Sequence, residues 1–497
     1  MLKTPSRAAV NLFKDLFRDK IFRSALFTSP LAIIRLATGF IRSKYAALSL
    51  GAAGFGLLSQ ANLFVLFFTS IGSLGLVNSL MQQMSYHREQ NNVTELLKVK
   101  GTTLVSQLVI LAILILPLVF FTGPLNEYLF NTRDTSFRLD MLFLLAAIPV
   151  TVITSNYVEG FFTAYSRFDL YIRASSYAAI LSVLLFFPMV YRWGIHGAII
   201  HIWVNVFILL LFFLYYVKKL VEYKDVFIFR FEKGVFVKIF KEGMVNLSCA
   251  ALANLVALLI RNRIIHDAGE TENGIYQIVI SVTAYYTPFI TNPLWASYFP
   301  LLSAKGVREE TQRIIKGTLV YTMLACSVVC GIVLTIPELL IRILASPQFL
   351  KAKQFFSLQM AGDIWYFVFF IFGIYLLSQR KVKHYLVMWM CYLVIQYVLA
   401  QWLIARLGVN GAPLAYSISC LAIGLYAILE FGKLLPRSDF SKILELLGVC
   451  FVFVTGLAAC CWYNIPVAIK IAGLAGWGIC VLVLFRYLNI KRLIQRS

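Results

Sequence analysis

Apolar segments of roughly 20 residues follow one another along almost the whole chain. A transmembrane α-helix needs about 20 predominantly apolar residues to cross the hydrocarbon core of a bilayer. No polar stretch between these segments is long enough to form a separate soluble domain. Because long apolar runs without strict alternation favour helices over a barrel, we expect an all-α polytopic membrane protein with about 14 transmembrane helices.

The composition agrees with this expectation. Of the 497 residues, 60% are hydrophobic and 14% are charged, whereas about a quarter of an average soluble domain is charged. The 45 Lys and Arg residues outnumber the 23 Asp and Glu residues, which gives a net charge of +22. If both termini are cytoplasmic, most cations fall in the tails and loops of that side, as the positive-inside rule requires. The basic excess therefore reflects topology and attraction to anionic lipid, and it predicts no nucleic-acid partner.

Two basic segments flank the spans. In residues 1–23, cations alternate with apolar side chains at helical spacing: Lys3, Arg7, Lys14, Arg18, Lys20 and Arg23. This pattern predicts an amphipathic helix that lies on the inner membrane surface. Residues 486–497 are also basic and predict a cytoplasmic tail, so both termini are expected in the cytoplasm.

The chain contains an internal repeat. LGAAGFGLLSQ (50–60) aligns with AGETENGIYQI (268–278), and this pairs Gly51 with Gly269 and Gly56 with Gly274. RWGIHGAII (192–200) aligns with RLGVNGAPL (406–414). Between these matches, Gly160 and Arg167 align with Gly373 and Arg380. Three matches in the same order indicate a duplicated unit.

The repeat predicts the domain organisation. Each copy holds six spans, and because that number is even, both copies enter the membrane in the same direction as parallel lobes. We expect an N-lobe at 24–217, a cytoplasmic linker at 218–238, a C-lobe at 239–432 and two extra spans at 443–485. Two six-helix lobes with a cavity between them favour an alternating-access transporter. The alternative is a structural or assembly protein with a duplicated fold.

Several cations lie inside predicted spans, where a charge is costly and usually functional. Arg35, Arg42 and Lys44 fall in the first span, and Arg261 and Arg263 fall near the corresponding point of the seventh. Arginine forks match phosphate geometry, so we expect these five residues to bind a phosphate-bearing substrate in the cavity. Lys44 and Arg263 lie near the membrane edge, where snorkelling to the interface is an alternative explanation.

Acidic and amide side chains inside the spans are further candidates. Glu159 and Asp363 are expected either to pair with a cavity arginine or to bind a coupling proton or sodium ion. The uncharged polar residues that could line a cavity or bond across helices are Gln60, Gln82, Asn205, Asn246, Gln277, Gln359 and Gln396.

No pattern in the sequence favours catalysis. The five histidines have no metal-ligand spacing, and no GxSxG, P-loop or HExxH pattern occurs. Ala53-Gly54-Phe55-Gly56 resembles part of a phosphate-binding loop, but no strand precedes it, so it is interpreted as a turn between two spans. We therefore expect no enzymatic activity, no metal and no cofactor, with transport driven by a H⁺ or Na⁺ gradient or by substrate supply.

Four segments together resemble a known family. They are RLATGFIRSKYAALSLGAAGFGLLSQ (35–60), SYFPLLSAKGVREE (297–310), LQMAGDIWYFVFFIFGIYLLSQRKVKHYL (358–386) and RLGVNGAPLAY (406–416). They are similar to polysaccharide flippases of the MOP (MATE-like) exporter superfamily, in particular the Wzx-type O-antigen and enterobacterial-common-antigen translocases. The likeness covers about residues 28–432. The pattern from Arg35 to Arg42 is also similar to the first-span arginines of lipid II flippases.

The resemblance implies a flippase of the bacterial inner membrane. It would move an undecaprenyl-diphosphate-linked oligosaccharide from the cytoplasmic to the periplasmic leaflet for O-antigen-like lipopolysaccharide, with lobe arginines on the pyrophosphate. Polymerase and chain-length proteins of the same pathway would be its partners. The extra spans exceed the number common in this branch, and in lipid II flippases such helices form a groove for the lipid tail.

Two alternatives remain open at this point. A drug or cation antiporter of the same superfamily would need carboxylates in its cavity. A polymerase or glycosyltransferase of the pathway would need a larger exported loop than residues 122–138 provide.

Overall fold

The computed structural model describes residues 20–130, 136–303 and 308–487, and these residues form helices without any β-strand. The α-helices are α1 (Lys20–Gly72), α2 (Leu76–Glu89), α3 (Val93–Phe120), α4 (Thr122–Phe130), α5 (Phe137–Thr151), α6 (Glu159–Ala164), α7 (Phe168–Val217), α8 (Tyr223–Val226), α9 (Lys233–Ala268), α10 (Glu270–Pro293), α11 (Phe299–Ser303), α12 (Arg308–Thr335), α13 (Pro337–Leu344), α14 (Ala352–Ser378), α15 (Val382–Leu407), α16 (Gly411–Leu434), α17 (Arg437–Trp462) and α18 (Val467–Tyr487). Val152–Val158 and Leu294–Tyr298 are π-helical, and Pro347–Phe349 and Gly408–Asn410 are 3₁₀ turns. The predicted all-α fold class is confirmed. Most of the predicted basic end segments, 1–23 and 486–497, lies outside the described residues.

Nine helices among the described residues are long and apolar enough to cross a membrane. They are Ala37–Gly72, Val93–Phe120, Phe137–Ala164, Phe168–Val217, Lys233–Ala268, Glu309–Thr335, Ala352–Ser378, Val382–Leu434 and Arg437–Trp462. Phe168–Val217 has 50 residues and Val382–Leu434 has 53, whereas about 20 residues suffice for one crossing. Each of these two therefore has the length of two spans. The total of 14 spans stays a prediction.

Glycines with positive φ divide the long helices at matching places in the two halves of the sequence. Gly51 has φ 67° and ψ −171°, and Gly269 has φ 89° and ψ 168°. Gly194 has φ 55° and ψ −127°, and Gly408 has φ 60° and ψ −146°. Residues that carry a side chain rarely adopt this backbone conformation, so glycine is the residue that permits these breaks. The repeat seen in the sequence therefore corresponds to a repeated pattern of helix breaks.

Two details of the sequence interpretation are wrong. Ala53-Gly54-Phe55-Gly56 is helical and not a turn, because the break falls earlier, at Gly51. Gly56 serves close packing instead, since a Cβ there would lie 2.3 Å from the backbone oxygen of Glu270. The alignment of Gly160 and Arg167 with Gly373 and Arg380 is also one residue out, because the left-handed residues that follow the two helices are Ser166 and Arg380.

The chain forms two compact units. We call them the N-unit (Met1–Ser49 with Ala61–Ala251) and the C-unit (Leu50–Gln60 with Leu252–Ser497). The predicted lobes, 24–217 and 239–432, differ from these units in their bounds, and the boundaries of the lobes stay predictions.

The N-unit packs part of the predicted linker against its own core. Val226 is fully buried in a cluster with Tyr157, Phe161 and Phe213, and the Tyr157 hydroxyl donates to the Val226 carbonyl at 2.5 Å. Lys100 is 1% exposed; its ammonium donates to the carbonyl of Asp225 at 3.3 Å and lies 4.9 Å from the centre of the Phe161 ring. A buried lysine needs such partners. This part of the linker is therefore fixed to the N-unit.

In the C-unit, α14 lies at the centre of the core, α17 packs against α14 and α12, and α18 packs against α12 and α17. Gly424 of α16 allows close approach, since a Cβ there would lie 3.0 Å from Trp365. Phe453 of α17 stacks on Trp477 of α18 at 4.3 Å, and the Trp477 indole donates to Ser327 Oγ at 3.2 Å. The two C-terminal helices are thus integral to this unit.

Candidate functional site

The N-unit contains a polar cavity of about 380 Å³ among its apolar helices. The residues that line it are Thr38, Arg42, Ser155, Glu159, Ser175, Ala178, Ala179, Val183, Asn205 and Leu209. They come from α1, the π-helical turn, α6 and α7. This is the size of a small-molecule pocket, and the mixture of apolar walls with a few convergent polar groups is typical of one.

Arg42 is held at the cavity by a chain of hydrogen bonds. Its Nη1 donates to Asn205 Oδ1 at 3.1 Å, and Ser182 Oγ donates to the same oxygen at 2.6 Å. His201 lies behind them, with its Nε2 2.8 Å from the Ser182 carbonyl. A carbonyl only accepts, so Nε2 carries the proton of this imidazole. The predicted Arg42 and Asn205 are therefore brought together at one polar site.

A local distortion positions Ser155 and Glu159. Pro149 lies inside α5, where it lacks the N–H that an α-helix requires. The following turn, Val152–Val158, is π-helical, and Ser155 lies within it while Glu159 follows it directly. Single π-helical turns within α-helices often occur at functional sites.

Arg261 occupies a different environment from Arg42. It is 5% exposed within the C-unit, where its Nη1 donates to Ser59 Oγ at 2.7 Å and its Nη2 donates to Gln277. Gln277 Nε2 in turn donates to Ser281 Oγ at 3.1 Å. The guanidinium thus connects α1 to α10 inside the packed unit.

The correspondence that the sequence suggested between Arg42 and Arg261 is therefore wrong. Arg42 lies nine residues before the break at Gly51, whereas Arg261 lies eight before the break at Gly269. One residue on an α-helix is a rotation of about 100°. The two side chains accordingly point in different directions from their helices.

The other predicted cations are more peripheral. Arg263 forms an ion pair with Asp267 on its own helix, with Nε and Oδ2 2.7 Å apart, and is 38% exposed. Lys44 is half-buried and is not among the residues that line the cavity. The side chain of Arg35 lies outside the described residues.

Asp363 is the buried carboxylate of the C-unit. It is 1% exposed, and its two oxygens accept hydrogen bonds from the hydroxyls of Tyr286 and Tyr416, the latter at 2.6 Å. Of the described Lys and Arg residues, none forms an ion pair with it. One turn earlier on α14, Gln359 Nε2 donates to Thr283 Oγ1 at 3.1 Å. Hydroxyl donors, rather than the expected arginine, therefore satisfy this carboxylate.

Two further amide candidates, Gln60 and Asn246, differ in their surroundings. Gln60 is fully buried and its side-chain amide has no hydrogen-bond partner among the described residues, whereas Asn246 is exposed. Neither lines the N-unit cavity.

The sequence interpretation missed several residues of the site. They are the hydroxyl residues Thr38, Ser155, Ser175 and Ser182, with His201 and the two tyrosines at Asp363. Serine and threonine occur throughout these helices, often bonded to the carbonyl four residues earlier, as Thr154 is to Val150. Their presence alone gives no signal that they line a cavity.

Comparison with known proteins identifies the family. Residues 21–305 match the family described as "Polysaccharide biosynthesis protein". The chain belongs to this family. Nine helices among the described residues are long and apolar enough to cross a membrane, so this member of the polysaccharide biosynthesis family is a multi-span membrane protein.

Two curated relatives of this family member are flippases. The lipid III flippases of Escherichia coli (strain K12) and Shigella flexneri are each 20% identical to it over 395 residues. That alignment covers 79% of this chain and 94% of each relative.

Solved structures show the same fold. The lipid II flippase MurJ, in an inward closed conformation, has a TM-score of 0.68 at 15% identity, covering 94% of this chain and 99% of that one. An inward-facing MATE transporter of the MOP superfamily has a TM-score of 0.67 at 14% identity, covering 84% and 96%. A MOP superfamily transporter from Pyrococcus furiosus has a TM-score of 0.58 at 11% identity, covering 89% and 99%. The family member therefore has a MATE-like fold.

Proposed function

We propose that this protein is a flippase for an undecaprenyl-diphosphate-linked oligosaccharide. It moves the lipid-linked repeat unit from the cytoplasmic to the periplasmic leaflet by alternating access, for the biosynthesis of an O-antigen-like surface polysaccharide. The observation that carries the proposal is the polar cavity of the N-unit, which holds Arg42 among apolar helices of a polysaccharide biosynthesis family member. A charge at membrane depth is usually functional and faces a polar space.

Arg42 is proposed to contact the polar headgroup of the substrate. Asn205, itself bonded by Ser182, holds the Arg42 side chain at the cavity, so part of its ordering cost is met before substrate binds. Arg35, Lys44 and Arg263 remain proposed contacts for the diphosphate at other stages of transport. Arg261 is proposed to have a structural role instead, because Ser59 and Gln277 already bind its guanidinium in the C-unit interior.

Asp363 is the proposed site of coupling to a proton or sodium gradient. Its carboxylate is buried and its partners are two neutral hydroxyls. An intramembrane carboxylate of this kind costs free energy that a purely structural role would not require.

The relatives support the flippase over the two alternatives. The curated relatives are lipid III flippases matched over most of their length, whereas the MATE transporters support only the fold. A drug or cation antiporter is the second candidate, since Glu159 places one carboxylate in the cavity. The proposed setting is the bacterial inner membrane, with cytoplasmic termini and with a polymerase and chain-length proteins as partners.

A deletion strain tests the proposal. Labelled lipid-linked sugar should accumulate as single units in the cytoplasmic leaflet when this protein is missing. Accumulation in the periplasmic leaflet would indicate a polymerase, and unchanged lipid with increased sensitivity to cationic drugs would indicate an antiporter. Re-expression of the intact chain is the control.

A further inference from the structure

The N-unit cavity contains groups of opposite charge together with hydroxyls. Arg42 only donates hydrogen bonds, and the Glu159 carboxylate only accepts them. Thr38, Ser155 and Ser175 can do both, and so can the amide of Asn205. The lining therefore offers donors and acceptors around one small volume.

A diphosphate alone suits this lining poorly. Its oxygens accept hydrogen bonds, so they would find a donor in Arg42 but only further acceptors in the Glu159 carboxylate of the same lining. Arg42 Nη1 already donates a hydrogen bond to Asn205 Oδ1. The lining of the cavity is therefore not purely cationic.

A sugar matches the same lining. Each sugar hydroxyl both donates and accepts, so neighbouring hydroxyls can donate to Glu159 while they accept from Arg42. Ala178, Val183 and Leu209 supply apolar walls for the carbon face of a ring. The volume of about 380 Å³ lies near the lower end of ligand pockets, which fits a small group and not a whole oligosaccharide.

The corresponding position in the described part of the C-unit has a different lining. The helix breaks at Gly194 and Gly408, and the left-handed residues Ser166 and Arg380, are in both cases 214 positions apart. The same offset pairs Glu159 with Gly373 and Ser175 with Trp389.

Gly373 and Trp389 lie in an apolar pocket of only about 10 Å³. The residues that line it are Trp295, Phe369, Phe370, Gly373, Ile374, Leu377, Tyr385 and Trp389. Aromatic side chains therefore fill the C-unit at the position where the N-unit has its carboxylate and serine.

We propose that the N-unit cavity is a monosaccharide subsite, in which Glu159 and Arg42 bind adjacent hydroxyls of one sugar of the transported glycan. This inference rests on the proposed function and adds that the protein recognises its cargo through the sugar as well as through the lipid diphosphate. Glu159 is then a specificity-determining residue.

Binding to the purified full-length protein in lipid nanodiscs tests the subsite. The probes are a polyprenol, the corresponding polyprenyl diphosphate, and the same diphosphate bearing one hexose. The wild type should bind the hexose-bearing lipid about ten- to hundredfold more tightly than the sugar-free diphosphate, the range expected for hydrogen bonds to charged groups. Glu159→Gln should lose most of this preference while binding the sugar-free diphosphate at least as well as the wild type.

Two controls keep the test decisive. Glu222→Gln changes an exposed carboxylate that pairs with Lys224 and is not among the residues that line the cavity. This variant should keep the preference. Ser175→Ala, a smaller change in the same lining, should reduce the preference and serves if Glu159→Gln does not fold.

The outcomes separate the subsite from the proposed function. Equal binding of the two diphosphates by the wild type, or an equal change for both in Glu159→Gln, would overturn the subsite and leave the flippase standing. Binding of neither diphosphate more tightly than the polyprenol would overturn the proposed function itself, and the subsite with it.

Discussion

Asn205 accepts a hydrogen bond from Arg42 across two separate helices, with Nη1 and Oδ1 3.1 Å apart. The same oxygen accepts from Ser182 at 2.6 Å. One amide oxygen thus joins the first membrane helix to α7 and fixes an arginine at the edge of a polar cavity. An arginine held this way loses less conformational entropy when it binds a ligand.

Replacing Asn205 tests this positioning role. Asn205→Ala removes the acceptor and should lower transport about ten- to hundredfold, since hydrogen bonds to charged groups contribute about 1.5–3 kcal/mol. Asn205→Asp keeps the accepting oxygen and should restore most of the activity. The measurement is the amount of surface polymer at equal membrane levels of protein. Full activity in Asn205→Ala would show that Arg42 does not depend on this contact.

Replacing Arg42 and replacing Arg261 should have different effects on the protein. Arg42→Ala should abolish surface polymer without lowering the amount of folded protein, because Arg42 is half-buried at a cavity. Arg261→Ala should lower thermal stability, because it leaves Ser59 and Gln277 without their buried partner. Each buried group left unsatisfied reduces the free energy of unfolding by about 1–3 kcal/mol. Surface polymer and the melting temperature of purified protein are both measured. The reverse pattern would contradict the two assigned roles.

Asp363 should control the response of transport to an imposed gradient. Asp363→Asn keeps the shape of the side chain but removes the carboxylate, so transport should no longer respond to a proton or sodium gradient. Tyr416→Phe removes one hydroxyl donor and keeps the carboxylate, so it should retain the response. Transport is followed in vesicles with either gradient imposed. A persistent gradient response in Asp363→Asn would exclude this residue as the coupling site.

Gly274 should tolerate no side chain. A Cβ at this position would lie 1.8 Å from the backbone oxygen of Ala52, so Gly274→Ala should prevent close packing of α10 against α1 and reduce the yield of folded protein. Gly456 is the matched control because a Cβ there meets nothing within 4 Å. Size-exclusion profiles and melting temperatures compare the two variants. Equal stability would show that the contact can relax at little cost.

The sequence was sufficient for the all-α fold class. Long apolar runs imply membrane helices because buried backbone must satisfy its own hydrogen bonds, and matched glycines marked the breaks at Gly51 and Gly269. It did not distinguish two uses of glycine, however. Gly56 was assigned to a turn although it provides close packing, and only the three-dimensional neighbours of a glycine separate these roles.

The candidate site was less predictable. The sequence singled out Arg42 and Glu159, since charges inside apolar runs are rare. It did not show that Arg42 and Arg261 point in different directions from their helices. It also did not show the π-helical turn that positions Ser155. Ser182 and His201 support Arg42 only through contacts between residues distant in the sequence. Such contacts leave no local pattern.

Flipping by reconstituted protein tests the central claim most directly. Liposomes carry a hexose-bearing polyprenyl diphosphate on the inner leaflet, and a membrane-impermeant reagent detects its arrival outside. The wild type and Arg192→Ala, a change of an exposed arginine in the same unit, should expose the sugar at equal rates, well above protein-free liposomes. Arg42→Ala should fall to the protein-free rate. A wild-type rate no faster than that of protein-free liposomes, or an unchanged rate in Arg42→Ala, would contradict the account.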